Sequence, residues 1–304
     1  MNRVVAKTSA PFNFDSYAKK RLSFILPTMN RAQFLPSALE RCRALRGPND
    51  ELIVIDGLSA DNTKEIVEKY RDIVDIFVSE RDVSYSHAYN KGLLLASGRY
   101  IKIISDDEIF HSRGIEKAVD VMERHLEIDL LLTGGTKEID GKIWPMYVPA
   151  GRNFGKSPED QFTTSGISGI GHLIRRSSFA KYGILIPNRL ACDVALILYF
   201  ISRGGIVRFC RINMFHISKY ERVLSYTQAE YTLDVSHLMK EYCSFPFFLK
   251  YRIKKNPILK KINAVLRHII GSKKMRTYSG QYFQREKSIN FKMKNITWDD
   301  AELS

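Results

Sequence analysis

The sequence predicts an α/β fold built on a doubly wound, mainly parallel sheet, and three observations predict it. Short β-like runs alternate with helix-like patterns through the first half, the order that crossover helices between parallel strands impose. A length of 304 residues is ample for a hydrophobic core. Hydrophobic content of 44% beside 26% charged residues argues against disorder, and no stretch approaches the roughly 18 unbroken apolar residues of a membrane span.

The runs LSFILPT (22–28), ELIVID (51–56), DIFVSE (75–80) and YIKIIS (100–105) read as strands, with helical patterns between them. In TKEIVEKY, Ile66, Val67 and Tyr70 make one apolar stripe, and Asp61 and Asn62 supply capping oxygens before it. Residues 114–126 read as a further helix, DLLLTGG (129–135) as a strand, and the Gly-, Pro- and Ser-rich residues 142–166 as loops. Beyond these, 172–183 reads as a strand running into a short helix. CDVALILYFISRGG (192–205) reads as a buried helix ended by glycines, and IVRFCRINMFHIS (206–218) as one or two strands.

The formal charge of +14 calls for an anionic partner: a phosphorylated substrate, anionic lipid or nucleic acid. Much of it lies late, since residues 242–282 contain no Asp or Glu. In NPILKKINAVLRHIIG (256–271), apolar residues fall on one helical face and Lys260, Lys261, Arg267 and His268 on the other. That pattern suits a helix on an anionic membrane surface, through 242–276, and equally a helix packed on the domain with a solvated basic face. Cys42, Cys192, Cys210 and Cys243 show no metal or redox spacing and read as reduced structural thiols. The first 20 residues lack a signal-peptide pattern, so a cytoplasmic location is expected, with the inner face of the plasma membrane as the surface the basic tail would meet.

In open parallel sheets ligands bind beyond the carboxyl ends of the strands, so the residues after each apolar run are informative. They are Pro27 and Thr28 with Asn30 and Arg31; Asp56; Glu80, Arg81 and Asp82; and Ser105, Asp106, Asp107 and Glu108. The turn PTMNRAQF has no glycine, so neither a dinucleotide fingerprint nor a P-loop is present. Adjacent carboxylates can hold Mg²⁺ or Mn²⁺, and the ion can bridge a diphosphate. Solvent-exposed turn acids are the bland alternative for SDDE taken alone.

The ordered stretches ILPTMNRAQFLPSAL, LIVIDGLSADNT, ERDVSYSHAYNKGLLLASGRYI and ISDDEIF resemble the nucleotide-binding half of family 2 glycosyltransferases with the GT-A fold. The resemblance implies that Pro27, Thr28, Asn30 and Arg31 line the nucleotide pocket and that Asp56 hydrogen-bonds the base, usually uracil. It implies that Asp106 and Asp107 form the DXD-type pair, with Asp106 also facing the ribose and diphosphate. Glu80, Arg81, Asp82 and Asn90 match a subgroup that builds bacterial surface polysaccharides, with Ser84 and His87 standing where glycine and aspartate are common. Residues 166–225 resemble the acceptor half, which puts Asp193 at the general base, His216 at a metal- or diphosphate-reaching histidine, and His172 near the acceptor. From the residues alone, Asp193 also fits an acid favoured at a helix N-terminus, and His216 a structural histidine.

Four regions follow: an extension (1–20), a nucleotide-sugar-binding half (21–126), an acceptor-binding half (127–225) and a basic helical C-terminal region (226–304). The expected activity is inverting, metal-dependent transfer of a sugar from a nucleoside diphosphate, UDP first, to a saccharide or lipid-linked acceptor in capsule, lipopolysaccharide or exopolysaccharide synthesis. The cofactor would be Mn²⁺ or Mg²⁺, and no nucleic acid is expected as a partner. Rival readings are a nucleotidyltransferase that makes nucleotide sugars, which would want a glycine- and lysine-rich first loop, and a non-enzymatic basic binding module.

Overall fold

The computed structural model of the chain describes residues 18–139, 141–146, 157–159, 169–183, 190–218 and 228–248. The expected amphipathic helix at 256–271, and nearly all of the N-terminal extension, lie outside them. No described helix is long and apolar enough to cross a membrane.

Strands β1 (Lys20–Thr28), β2 (Glu51–Asp56), β3 (Ile76–Ser79) and β4 (Gly98–Ile103) alternate with helices α1 (Leu35–Leu45), α2 (Thr63–Lys69) and α3 (Tyr85–Leu95). Then come β5 (Ile109–Phe110), α4 (Ser112–Arg124), β6 (Leu130–Ile139), β7 (Lys142–Met146) and a 3₁₀ turn at Gly169–Gly171. Strand β8 (His172–Arg175), α5 (Ser178–Tyr182), α6 (Cys192–Ser202), β9 (Val207–Ile217) and α7 (Gln228–Tyr242) complete the described order. The sheet runs β3-β2-β1-β4-β8-β6-β9-β5, with β7 pairing β6. Strands β1 to β4 are mutually parallel where they pair, and the chain crosses from β3 back over β1 to reach β4. That reversal makes the β1/β4 boundary the switch point where ligands collect.

Alternation along the strands sends side chains to two core layers. Leu22, Phe24 and Leu26 of β1, with Leu52 and Val54 of β2, meet α1, α2 and α4. Ile25, Ile53 and Ile55 face α3, α5, α6 and α7 instead. Helix α3 comes very close to the sheet, since a Cβ on Gly92 would sit 2.3 Å from Ile25 Cγ2. Gly98 is confined likewise, 2.6 Å from the Ser23 nitrogen. Both glycines are there for packing.

Two local readings change. Residues 142–146, expected as loop, form β7, an antiparallel hairpin partner of β6 closed by Gly141 at φ 72°. The β-formers Ile143 and Trp144 outweigh Pro145, which an edge strand accommodates because it needs no donor on its outer side. The two-residue β5, too short to show a period, pairs antiparallel with β9 and sets Ile109 opposite His216. The capping oxygen before α2 comes from Asp61, which accepts from Thr63 N at 3.1 Å and Thr63 Oγ1 at 2.6 Å.

Buried charges act as joints. Arg175 on β8 donates to the carbonyls of Met122, His125 and Ile128, satisfying acceptors that the end of α4 leaves open. Glu51 accepts from Ser23 Oγ and from the Ser97 backbone N–H, holding the start of β4 beside β1 and β2. Lys102 is fully buried on β4: its ammonium donates to the carbonyls of Ile103 at 2.9 Å and Ile170 at 2.5 Å and lies 4.4 Å from the Phe110 ring centroid. Burial pushes its pKa down to about 7, against the opposing field of Glu108.

Because Lys102 is depressed in the fold, the unfolded chain holds a proton that the folded chain has lost between pH 7 and the ordinary lysine value. Folding stability therefore rises with pH across that window and is flat below it. Against Lys102→Met, the wild-type protein should gain up to about 1.4 kcal/mol per pH unit above pH 7, read by urea unfolding at pH 6, 7.5 and 9. A gap between the two proteins that ignores pH would show that Lys102 titrates as an exposed lysine does.

Candidate active site

The carboxyl ends of β1 and β2 are knitted into one ledge. Asn30, in the left-handed region at φ 53°, donates its backbone N–H to Ser59 Oγ at 2.8 Å, and its side-chain oxygen accepts from Ala60 N at 2.8 Å. Asparagine tolerates that backbone better than most residues. Ser59 in turn donates its hydroxyl to Asp56 at 2.5 Å, and Ser79 at the end of β3 donates to the other Asp56 oxygen at 2.6 Å. Asp56 is thus buried with its carboxylate orientation fixed from two strands. Pro27 and Thr28 close β1 in register with Ile55 and Asp56. Thr28 Oγ1 is buried with no hydrogen-bond partner, a polar atom at the ledge with bonding capacity to offer a ligand.

Across the switch point, Arg31 reaches the acidic loop after β4. Its Nε lies 2.5 Å from Asp106 Oδ2, and an Nη lies 3.6 Å from Asp107 Oδ2. Arg41 donates to the Asp106 carbonyl at 2.6 Å. Burial pushes the Asp106 carboxyl above the ordinary aspartate value, against the pull of Arg31. Asp107 is the more open acid, with a 27% exposed side chain. Glu108 is turned inward and accepts from Ser105 Oγ at 2.6 Å.

The loop after β3 is gathered by one cation. Lys91 on α3 lies 3.0 Å from carboxylates of both Glu80 and Asp82 and 3.3 Å from the carbonyls of Glu80 and Arg81. Arg81 is exposed, and Asn90, next to Lys91, is half-buried. Helix α3 also carries Tyr85 and Tyr89, ring centroids 6.3 Å apart and edge to face. The Tyr85 side chain is 43% exposed, yet desolvation of its hydroxyl pushes the pKa up to about 12, with Asp106 adding to the shift and Arg31 opposing it. The Tyr89 hydroxyl is also held well above its ordinary value by burial, with Cys192, Tyr85 and Asp193 adding to the effect. Tyr89 also hydrogen-bonds the Cys192 side chain, so helix α3 meets the start of the helix that carries Asp193.

Asp193 is the second residue of α6, half-buried, behind the buried Cys192. His216 is brought near the acidic loop by the β5–β9 pairing, and its Nδ1 lies 2.9 Å from Thr136 Oγ1. The β6/β9 register shifts between Thr133 and Gly135 set that pairing. His172 is 3% exposed, and its Nε2 accepts the Ile103 N–H at 3.2 Å where the β4–β8 ladder ends. That bond closes the ladder from within the core.

No three His, Cys, Asp or Glu side chains converge as a closed metal cage would need, among the described residues. Mg²⁺ and Mn²⁺ seldom need one, since one or two carboxylates with substrate phosphates and water complete their shells. A half-open Asp107 beside Asp106 is a hard-oxygen donor set that fits such an ion.

Sequence reasoning missed Lys91, Arg41, Ser79 and the Tyr85–Tyr89 pair. Only the last left a readable signal: two aromatics four residues apart on a helix leaving the third strand end.

Among relatives, an uncharacterised glycosyltransferase from Rickettsia conorii is 31% identical over 123 residues, which is 40% of this chain and 20% of that protein. A putative teichuronic acid biosynthesis glycosyltransferase, TuaG, from Bacillus subtilis is 26% identical over 107 residues, 34% of this chain and 42% of its own length. The chain thus spans well under half the length of either relative. Among solved structures, TarS residues 1–349 from S. aureus, in complex with UDP-GlcNAc, superposes with a TM-score of 0.58 at 17% identity, covering 73% of this chain and 66% of that one. The architecture is therefore of the GT-A type. With the model for glycosyl transferase family 2 matching residues 23–183, more than half of the 304 residues, the chain belongs to that family.

Proposed function

We propose that the chain is an inverting, metal-dependent glycosyltransferase that moves a sugar from UDP to a saccharide or lipid-linked acceptor in bacterial polysaccharide synthesis. One observation carries the reading: the Arg31–Asp106–Asp107 cluster is paired with a carboxylate, Asp193, on a helix whose first residue, Cys192, hydrogen-bonds Tyr89 of α3. Inverting transfer asks for that pairing, a base on the acceptor side and charge compensation on the leaving-group side. TuaG's description as a putative teichuronic acid biosynthesis glycosyltransferase supports the polysaccharide setting, and the UDP-GlcNAc bound by TarS supports the nucleotide.

Asp56, held by Ser59 and Ser79, offers a fixed acceptor to a base N–H, and Thr28 offers its unpaired hydroxyl beside it. Arg31 supplies a guanidinium already placed where phosphate charge would arrive. A divalent ion held by Asp107 and Asp106 would add charge neutralisation at the leaving diphosphate. His216, beside Thr136, is within the same neighbourhood for the diphosphate or the ion. On the other side Asp193 takes the acceptor hydroxyl's proton. The oxygen forms its bond to the anomeric carbon as the bond to the diphosphate oxygen breaks on the opposite face.

Thermal shifts with UDP, GDP and dTDP, each with Mn²⁺, Mg²⁺ or EDTA, test the donor side. Stabilisation should be largest for UDP and should need both nucleotide and ion, and Asp107→Ala should abolish the ion-dependent part. An unchanged shift in that variant would remove Asp107 from the mechanism. On the acceptor side, Asp193→Asn should lower kcat by about 10²- to 10⁴-fold while leaving the UDP shift intact, as loss of a general base does. Full turnover in that variant would place the base elsewhere.

A further inference from the structure

The helix that carries Asp193 has no cap of its own. Ala191 stands at the N-cap of α6, fully buried, and its methyl group can accept nothing. Its own N–H is nevertheless satisfied, by a residue far along the chain: Asp234 on α7 accepts from Ala191 N at 2.9 Å. In a capping box a Glu or Gln three residues into the helix takes the N-cap N–H. Here Val194 occupies that position, and Asp234 performs the same task from a neighbouring helix. A carboxylate is also the favoured charge at a helix start.

Helix α7 is well placed to hold such a contact steady. Leu238 and Met239 are fully buried, and Tyr231, Val235 and Tyr242 pack on the same core layer as α6. These positions recur at helical spacing, so one face of α7 is fixed against the domain. Just past its end, Ser244 N donates to Glu159 at 2.8 Å, a second tie to the rest of the chain. Both Asp193 and Asp234 lie beyond the residues that match the family model, which end at 183.

We propose that Asp234 is a positioning residue for Asp193: through the Ala191 N–H it fixes where α6 begins, and so where the carboxylate two residues later stands. This rests on the reading of Asp193 as the base. Helix α7 is then part of the catalytic unit, although its sequence lies within the C-terminal region, 226–304. Misplacing a catalytic group by about 1 Å can cost on the order of 10²-fold in rate, so one backbone hydrogen bond at the start of the helix is enough to matter.

The test compares full-length wild-type protein with Asp234→Ala, Asp234→Asn, Asp193→Asn and the Asp193→Asn/Asp234→Ala double variant. Hydrogen exchange over residues 190–198 reads the start of α6 directly. UDP release from UDP-GlcNAc, with water or an oligosaccharide mixture as acceptor, reads turnover, and the UDP thermal shift with Mn²⁺ reads the donor site. Asp234→Ala should lose protection at 190–198 and about tenfold or more in kcat, with donor KM and the UDP shift unchanged within twofold. Asp234→Asn keeps a side-chain oxygen acceptor and should restore both protection and kcat to within about threefold of wild type. The double variant should be no slower than Asp193→Asn alone. Unchanged protection in Asp234→Ala overturns the proposal, as does a loss shared equally by kcat, donor KM and the UDP shift, which marks a folding role only. If Asp193→Asn turns over normally, the base assignment fails instead; if it is slow while Asp234→Ala is not, only the positioning role fails. Should Asp234→Ala not fold, Asp234→Asn decides by itself: protection and kcat both lost would assign the effect to charge and overturn the hydrogen-bond account.

Discussion

The ion pair between Arg31 and Asp106 is the interaction on which the candidate site depends. It joins the residues after β1 to those after β4, the two parallel strands that meet where the chain reverses direction across the sheet. Two adjacent aspartates at a strand end repel each other and resist burial, yet Asp106 is nearly fully buried. Arg31 makes that tolerable by bonding Asp106 and approaching Asp107, and Arg41 fixes the loop through the Asp106 carbonyl. A pair of this kind contributes little net stability, because desolvation opposes the attraction. Its consequence is geometric: it keeps Asp107 facing outward with a cation beside it, an arrangement suited to an incoming diphosphate.

The same division between stability and placement recurs in the rest of the chain. Apolar burial is supplied by two layers that any period-two strand pattern could provide, whereas the buried polar residues decide how the layers are joined. Glu51 registers β4 against β1 and β2, Arg175 closes the end of α4, and Asp129 accepts from Ser178, Tyr182 and Ile206 N to hold α5 beside β9. Lys102 costs more than these, since its ammonium is buried among carbonyls and one ring, with Glu108 the acid whose field favours its charge. It ties the strand that leads into the acidic loop to the 3₁₀ turn before β8, and thus one half of the domain to the other.

What the sequence made legible follows from these physical causes. The parallel strands, α6 and the strand-end acids were readable because each is a local pattern: alternation, a continuous apolar run, or a polar residue just after one. Strand β7 was not, because Gly and Pro in residues 142–166 outweighed the short β-forming run at its start. The approach of His216 to the acidic loop was implied by the family resemblance alone, because it depends on a two-residue strand and on a register shift in β9, neither of which has a sequence period. The bond that His172 accepts from the Ile103 N–H was not legible either, because it joins residues 69 apart in the chain. Asp234 was invisible for the most general reason: its partner lies 43 residues away and is a main-chain group, which no motif can name.

That asymmetry separates the two halves of the site. On the donor side, neighbouring parallel strands fix the acids, and each strand end is braced by the next, from Asn30 through Ser59 to Asp56 and Ser79. Such a ledge is braced because side chains from the loops after β1 and β2 bond across to paired strand ends, and its residues can be read in order along the chain. On the acceptor side, Asp193 stands on a helix whose start is set by α7 and whose flank meets the donor half through Tyr89. Its position depends on contacts from two other helices, α7 and α3, and neither belongs to the sheet. Under the proposed roles, a base held this way would shift with changes in α7 while the ledge stays as it is. Variation in the later part of the chain would then alter which acceptor hydroxyl is reached without altering which nucleotide is bound.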